Sequence, residues 1–219
     1  MTQRNNSRIV HHPMEGSIVV KRMSRGGEVV SGTEGKATGE GCEAEIEQSV
    51  VHVGKMMALA ARTAPKGVGL DYLEIRLVTG EDVDRMGRAM IKKGEAEDKT
   101  HFVRDGKSVL RCHAVLLVGL LDHPAIGLDC GACGHGDCAG FEATRDEAPT
   151  GDFAPACVFR SQDLGIAVGS AVKTAQIHNV DNRIMYRAAV IGIQLGLMGP
   201  GLCLGIPLAA VGKSPFFDR

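Results

Sequence analysis

The stretch Ala60–Met86, AARTAPKGVGLDYLEIRLVTGEDVDRM, changes its hydrophobic period twice in a short span. Upstream of it, Ile46, Val50, Val53, Met57 and Ala60/Ala61 recur at the spacing of an amphipathic helix, and Pro65 stops that run. Inside it, Leu73, Ile75 and Leu77 alternate with Tyr72, Glu74 and Arg76, as in a half-buried strand. GEDVDRMGRAMIKK then returns to the helical period, with acids in its first turn and lysines in its last, the order that suits the helix dipole.

Downstream, AVLLVGLL (residues 114–121) is a continuous apolar run of strand length and reads as a central strand. After Cys157, SQDLGIAVGSAVKTAQIHNVDNRIMYRAAVIGIQLGLM reads as two helices broken at HNVD. Ser161 is the expected cap of the first, and Asn179 or Asp181 of the second. Gly165 and Gly169, four apart on one helix face, read as a mark of close helix packing. Ala188–Gly212 carries no charge over 25 residues, long enough to cross a bilayer. Six glycines and two prolines interrupt it, so it reads instead as the end of a buried helix, a turn and a short buried strand, with no membrane span. Helices alternating with few strands point to α/β or α+β, with helices layered on a small sheet.

Composition bounds the rest. The chain has 219 residues, 44% of them apolar, a formal charge of −1 and no Trp, which gives a nucleic-acid partner neither a basic field nor stacking platforms. Residues 1 to about 44 lack periodicity and have the Gly-, Ser-, Thr- and charge-rich composition of a disordered tail, in which Met14 and Met23 are alternative starts to Met1 and His11 and His12 are solvated. Residues 45–219 are expected to form one domain. The N-terminus has basic residues but no apolar signal core, so a cytoplasmic location and free thiols are expected.

Residues Leu128–Phe141, LDCGACGHGDCAGF, place three of the seven cysteines within nine residues. Cys130, Cys133 and Cys138 have the spacing C-x2-C-x4-C, and Cys157 follows after eighteen residues. Four thiolates suit a tetrahedral metal or a cubane cluster, and Gly131, Gly134 and Gly136 can take positive φ and turn amide N–H groups toward sulfur. Buried inert thiols fit a polar, glycine-rich loop poorly. Structural zinc is the serious rival, although neither paired C-x2-C knuckles nor a distant His pair is present. His135 sits too close to its neighbouring cysteines to be an easy ligand, Asp137 reads as a turn residue, and Cys42, Cys112 and Cys203 read as tail, strand-edge and core thiols.

The motif resembles the four-cysteine iron–sulfur domain of the B subunit of Rnf-type electron-transport complexes and of corrinoid iron–sulfur proteins. That resemblance implies one [4Fe–4S] cluster held by Cys130, Cys133, Cys138 and Cys157, in a loop spanning residues 128–157, and one-electron transfer to an unknown redox partner protein. The last spacer is slightly longer than the family's, and CVFR replaces a proline after the last cysteine. From about Val50 to the C-terminus, AARTAPKG, DLGIAVGSAVKTA, NVDNRIMYR and GKSPFFDR resemble a family of ferredoxin-domain-containing proteins.

The opening stretch and DLGIAVGSAVKTA are also similar to the nitroreductase family. That similarity implies helices flanking a mainly antiparallel sheet, hence an α+β class, and FMN at the interface of a homodimer. It makes Arg62 and Lys66 candidate phosphate contacts, with Arg183 and Lys213 more remote. The family's Arg-rich phosphate motif is missing; KRMSR (residues 21–25) lies in the tail. Asp181 and Arg183 are read either as a polar ligand site or as a cap with an ion pair. Three functional readings result: a [4Fe–4S] electron carrier, a cluster-fed FMN oxidoreductase, and a structural zinc protein.

Overall fold

The computed structural model describes residues 40–145, 153 and 155–217. In chain order these form α1 (Glu40–Thr63), a 3₁₀ turn (Gly67–Gly69), β1 (Leu73–Thr79), α2 (Glu81–Ala96), α3 (Thr100–Val109), β2 (Ala114–Leu120), α4 (Cys138–Arg145), α5 (Val158–Ile177), β3 (Asp181–Asn182), α6 (Tyr186–Gln194) and β4 (Leu202–Ala209). The tail expected over residues 1–44 lies outside the described residues up to 39, and its last residues open α1. No helix among the described residues is long and apolar enough to cross a membrane.

The four strands lie in the order β1-β2-β4-β3, and each neighbouring pair is antiparallel. The fold is therefore α+β, with helices on both faces of one small sheet. Alternation along β2 sorts its side chains between two cores. Ala114, Leu116, Val118 and Leu120 join Val50, Val53 and Met57 of α1 and Leu164, Ala167 and Ala171 of α5 on one face. Val115 and Leu117 join Met86 and Met90 of α2, Phe102 of α3 and Ala188 and Ile191 of α6 on the other. Burial on both sides is why AVLLVGL reads as an unbroken apolar run, and all seven residues of β2 are buried. The alternation at Leu73, Ile75 and Leu77 holds, with all three packed toward the α1–α5 core.

Several local expectations are corrected. Cys157, not Ser161, is the N-cap of α5, and Ser161 Oγ donates back to the Cys157 carbonyl at 3.0 Å. Asn179 takes positive φ (54°) just past the end of α5, Asp181 pairs with Ala209 as part of β3, and α6 starts later, after Met185. Those residues belong to the sheet edge because Met185 and Gly205 exchange backbone hydrogen bonds and carry the chain along β4. Gly165 and Gly169 are exposed, and a Cβ at either would meet nothing within 4 Å, so neither marks a close helix contact. The close contact is elsewhere: a Cβ at Gly106 of α3 would lie 2.7 Å from the Gly87 carbonyl oxygen of α2.

Candidate iron–sulfur site

The central strand β2 ends at Leu120, and the segment it feeds carries the first three cysteines of the motif. Cys130 is exposed, Cys133 is half-buried, and Cys138 opens α4. Backbone conformation follows the glycine pattern at two of three positions: Gly131 (φ 65°) and Gly134 (φ 87°) take positive φ, and Gly134 N–H donates to the Gly131 carbonyl at 3.0 Å to close a tight turn. Asp129 also takes positive φ (46°). Its carboxylate accepts the Cys138 amide at 2.9 Å, and its own amide donates to Cys138 Sγ at 3.4 Å. That reciprocal pair ties the two ends of the cysteine loop, and it supplies one amide directed at sulfur. Asp137, expected as a turn residue, accepts the Gly140 amide at 2.7 Å, the bond of an N-cap that starts α4. His135 packs edge-on against buried Phe141, with centroids 5.8 Å apart.

Cys157 comes from a different element. It is 5% exposed and sits at the N-terminus of the 20-residue α5, where unpaired amides and the helix dipole favour negative charge. Its amide donates to His123 Nε2 at 3.2 Å, and His123 Nδ1 lies 2.7 Å from the Leu121 carbonyl oxygen. Burial lowers the His123 pKa, favouring the neutral ring, with the nearby Arg145 and Arg160 charges acting in the same direction. Arg145 of α4 donates to the His123 carbonyl, and Glu142 accepts the Ala125 amide at 2.9 Å. His123 thus links the exit of β2, the end of α4 and the start of α5. Sequence reading missed it; a histidine before Pro124, directly after an apolar strand, was the available signal.

One turn into α5, Arg160 and Asp163 form a buried ion pair at 3.4 Å, with side chains 2% and 8% exposed. Arg160 also donates to the Gly67 carbonyl at 3.0 Å and stacks 4.7 Å from the Tyr72 ring, while Asp163 accepts the Gly67 amide at 2.7 Å. The helix that carries Cys157 is thereby fastened to the turn after α1. Sequence reading missed this pair as well; its signal is an i,i+3 Arg–Asp spacing in the first two turns of the helix.

Among the described residues, no three His, Cys, Asp or Glu side chains stand together in a group that holds a metal ion. The donor chemistry nevertheless fits an iron–sulfur cluster. Four soft thiols are offered by a loop and a helix N-terminus, and residues 121–137 form no helix or strand, so the first two thiols can shift without breaking the core. The candidate phosphate contacts are engaged within the chain. Arg62 binds Asp71 at 2.6 Å and the Leu73 carbonyl at 3.0 Å, and Lys66 Nζ donates to the carbonyls of Ala61, Arg62 and Ala64 at the end of α1. Desolvation pushes the Asp71 pKa up, but the Leu73 amide and Arg62 outweigh it and hold the carboxyl below its usual range. Arg183 donates to the Phe216 carbonyl at 3.2 Å, and Lys213 is exposed, its carbonyl accepting from Arg111 at 3.1 Å.

The other thiols are chemically distinct. Burial pushes Cys112 and Cys203 up to about 12, with Arg111 partly offsetting the first and the Glu74 charge adding to the second. Both stay protonated in the folded state well past the unfolded value of 9.0. Above pH 9 the unfolded chain therefore binds fewer protons than the folded one, and stability falls with rising pH until about 12. Denaturant titrations should show a loss approaching about 1.4 kcal/mol per pH unit for each thiol in that window. The slope should flatten in a Cys112→Ala/Cys203→Ala double variant; an unchanged slope would show that these thiols do not govern it.

Comparison with known proteins places the chain in a family. The family described as "Uncharacterized protein containing a ferredoxin domain (DUF2148)" matches residues 153–219. A protein of Archaeoglobus fulgidus, described as "Uncharacterized protein", is 42% identical over 164 residues, covering 75% of this chain and 88% of its own length. Among solved structures, nitroreductase CinD from Lactococcus lactis in complex with 4-nitrophenol is similar with a TM-score of 0.48 at 13% identity, covering 76% of this chain and 79% of that one. Nitroreductase A from Vibrio parahaemolyticus has a TM-score of 0.46 at 12% identity over 75% of this chain, which spans 60% of that structure's length. The chain belongs to the same family as the Archaeoglobus fulgidus protein, and its residues 153–219 match the family described as containing a ferredoxin domain.

Proposed function

We propose that this chain is an iron–sulfur protein that holds one [4Fe–4S] cluster through Cys130, Cys133, Cys138 and Cys157 and exchanges single electrons with a partner protein. The observation that carries the reading is the segment itself: three thiols within nine residues, on a backbone turned by positive φ at residues 129, 131 and 134 and closed by Asp129 onto Cys138. When bound, the cluster supplies a site that takes up and returns one electron. The chain's own residues do the rest. Gly131 and Gly134 set the curvature, the Asp129 amide places a partial positive charge against Cys138 sulfur, and the α5 N-terminus does the same around Cys157. A reducing compartment such as the cytoplasm suits a chain whose seven cysteines are all free thiols.

Anaerobically purified protein is expected to show broad visible absorption, about four irons and four acid-labile sulfides per chain, and an EPR signal on reduction. One zinc per chain without sulfide would replace this reading with a structural zinc site. For the flavin alternative, a phosphate at Arg62 and Lys66 must take over bonds now made to Asp71, Leu73 and three helix-terminal carbonyls. Saturable quenching of FMN fluorescence that weakens in Arg62→Ala would support that alternative, and indifference to FMN would remove it.

A further inference from the structure

We infer that His123 is a positioning residue for the fourth cluster ligand, holding the Cys157 backbone through its Nε2 atom. The inference rests on the proposed ligation by Cys157 and goes beyond it by assigning a role to a side chain outside the cysteine motif. Cys157 is the N-cap of α5 and makes no side-chain capping bond. Its amide donates to His123 Nε2 at 3.2 Å, which binds the backbone of Cys157 directly to the exit of β2. Because Nε2 accepts, it carries no proton, and the ring proton sits on Nδ1, where it donates to the Leu121 carbonyl at 2.7 Å. One ring therefore bridges the segment that leads into Cys130 and the residue that supplies Cys157, the two stretches that must approach one another for four thiols to share one cluster. His123 is 4% exposed and its carbonyl is gripped by Arg145 of α4, so the bridge has little freedom to swing. A buried donor without that acceptor would cost the full desolvation of an amide, so the bond fixes where Cys157 stands.

Two substitutions separate the two ends of the ring. The amide of asparagine overlays Nδ1 and keeps the bond to Leu121 but cannot reach Cys157, whereas the longer glutamine amide offers an oxygen near Nε2. His123→Asn is expected to weaken retention of iron against a chelator by about tenfold or more, the scale of lost outer-shell contacts at metal sites, and to alter the EPR spectrum of the reduced protein. His123→Gln is expected to restore both, which a general loss of packing would not do. Amide hydrogen exchange on the wild-type protein gives a measurement independent of either variant, with the Cys157 amide expected to be protected although no helix carbonyl accepts it. Equal iron retention in wild type and both variants, equal loss in both variants, or fast exchange at Cys157 would overturn the inference while leaving the cluster in place. A wild-type protein without iron and sulfide would overturn the cluster and this role together.

Discussion

Serine at any one of Cys130, Cys133, Cys138 or Cys157 is expected to cut iron and sulfide from about four each per chain to a small fraction, because a cubane cluster needs a thiolate at each iron. The Cys157 change is the most telling of the four. Cys157 occupies an N-cap position without capping it, and serine is among the preferred N-cap residues, so with both proteins iron-free Cys157→Ser should hold or raise the unfolding free energy, by about 0.5–1 kcal/mol, while the variant fails to load iron. A cysteine whose loss costs metal but not the stability of the iron-free fold is a ligand and not a core residue. Serine at Cys42, exposed on α1, should leave iron unchanged. Serine at Cys203 buries a hydroxyl and should cost about 1–3 kcal/mol with full iron per folded chain. Full occupancy in a Cys130 or Cys133 variant would discard the assignment.

Replacing Arg160 with Met is expected to be the most damaging single change to the fold, at about 3–5 kcal/mol, because it leaves the Asp163 carboxylate buried without its counter-charge. The Gly67 and Leu70 carbonyls lose a donor at the same time, and Tyr72 loses its stacked guanidinium. Adding Asp163→Leu should recover part of the loss, since an apolar pair avoids the stranded charge, although the Gly67 amide then lacks its acceptor. Urea denaturation of the wild type and these two variants measures this; an Arg160→Met variant within about 1 kcal/mol of wild type would show that the pair contributes little beyond packing.

Much of the scaffold was legible in the sequence, for reasons visible in the finished fold. Periods of 2 and 3.6 were legible because α1 and α2 each bury one face and Leu73, Ile75 and Leu77 of β1 share one, and the unbroken apolar run of β2 announced burial on two. The helices at Thr100–Val109 and Cys138–Arg145 were not read. Both are short, and the second begins on a cysteine inside a glycine-rich segment whose start signal, Asp137 before Cys138-Ala139-Gly140, is also that of a turn. Capping residues misled where tertiary pairing won: Asp181 looks like a cap, but β4 captures it as a strand. The spacing of the cysteine motif was plain, whereas its supports were not. Asp129, His123 and Arg160 act across 9, 34 and 93 residues of sequence respectively, separations that no local pattern encodes.

The pairing of β2 with β4 sets the order in which the molecule can be built. Leu116 meets Ile206 at the centre of the sheet, and the whole of residues 121–201 must be gathered before these two strands can touch. Such a distant pairing defers its reward until a long loop has closed, which slows it relative to the β1–β2 pairing, whose connection through α2 and α3 is shorter. The cysteine segment lies wholly inside that loop. On the proposed ligation, iron joining Cys130 to Cys157 would be a clasp across part of that closure, shortening the chain that must be searched and linking the completion of the sheet to the supply of metal.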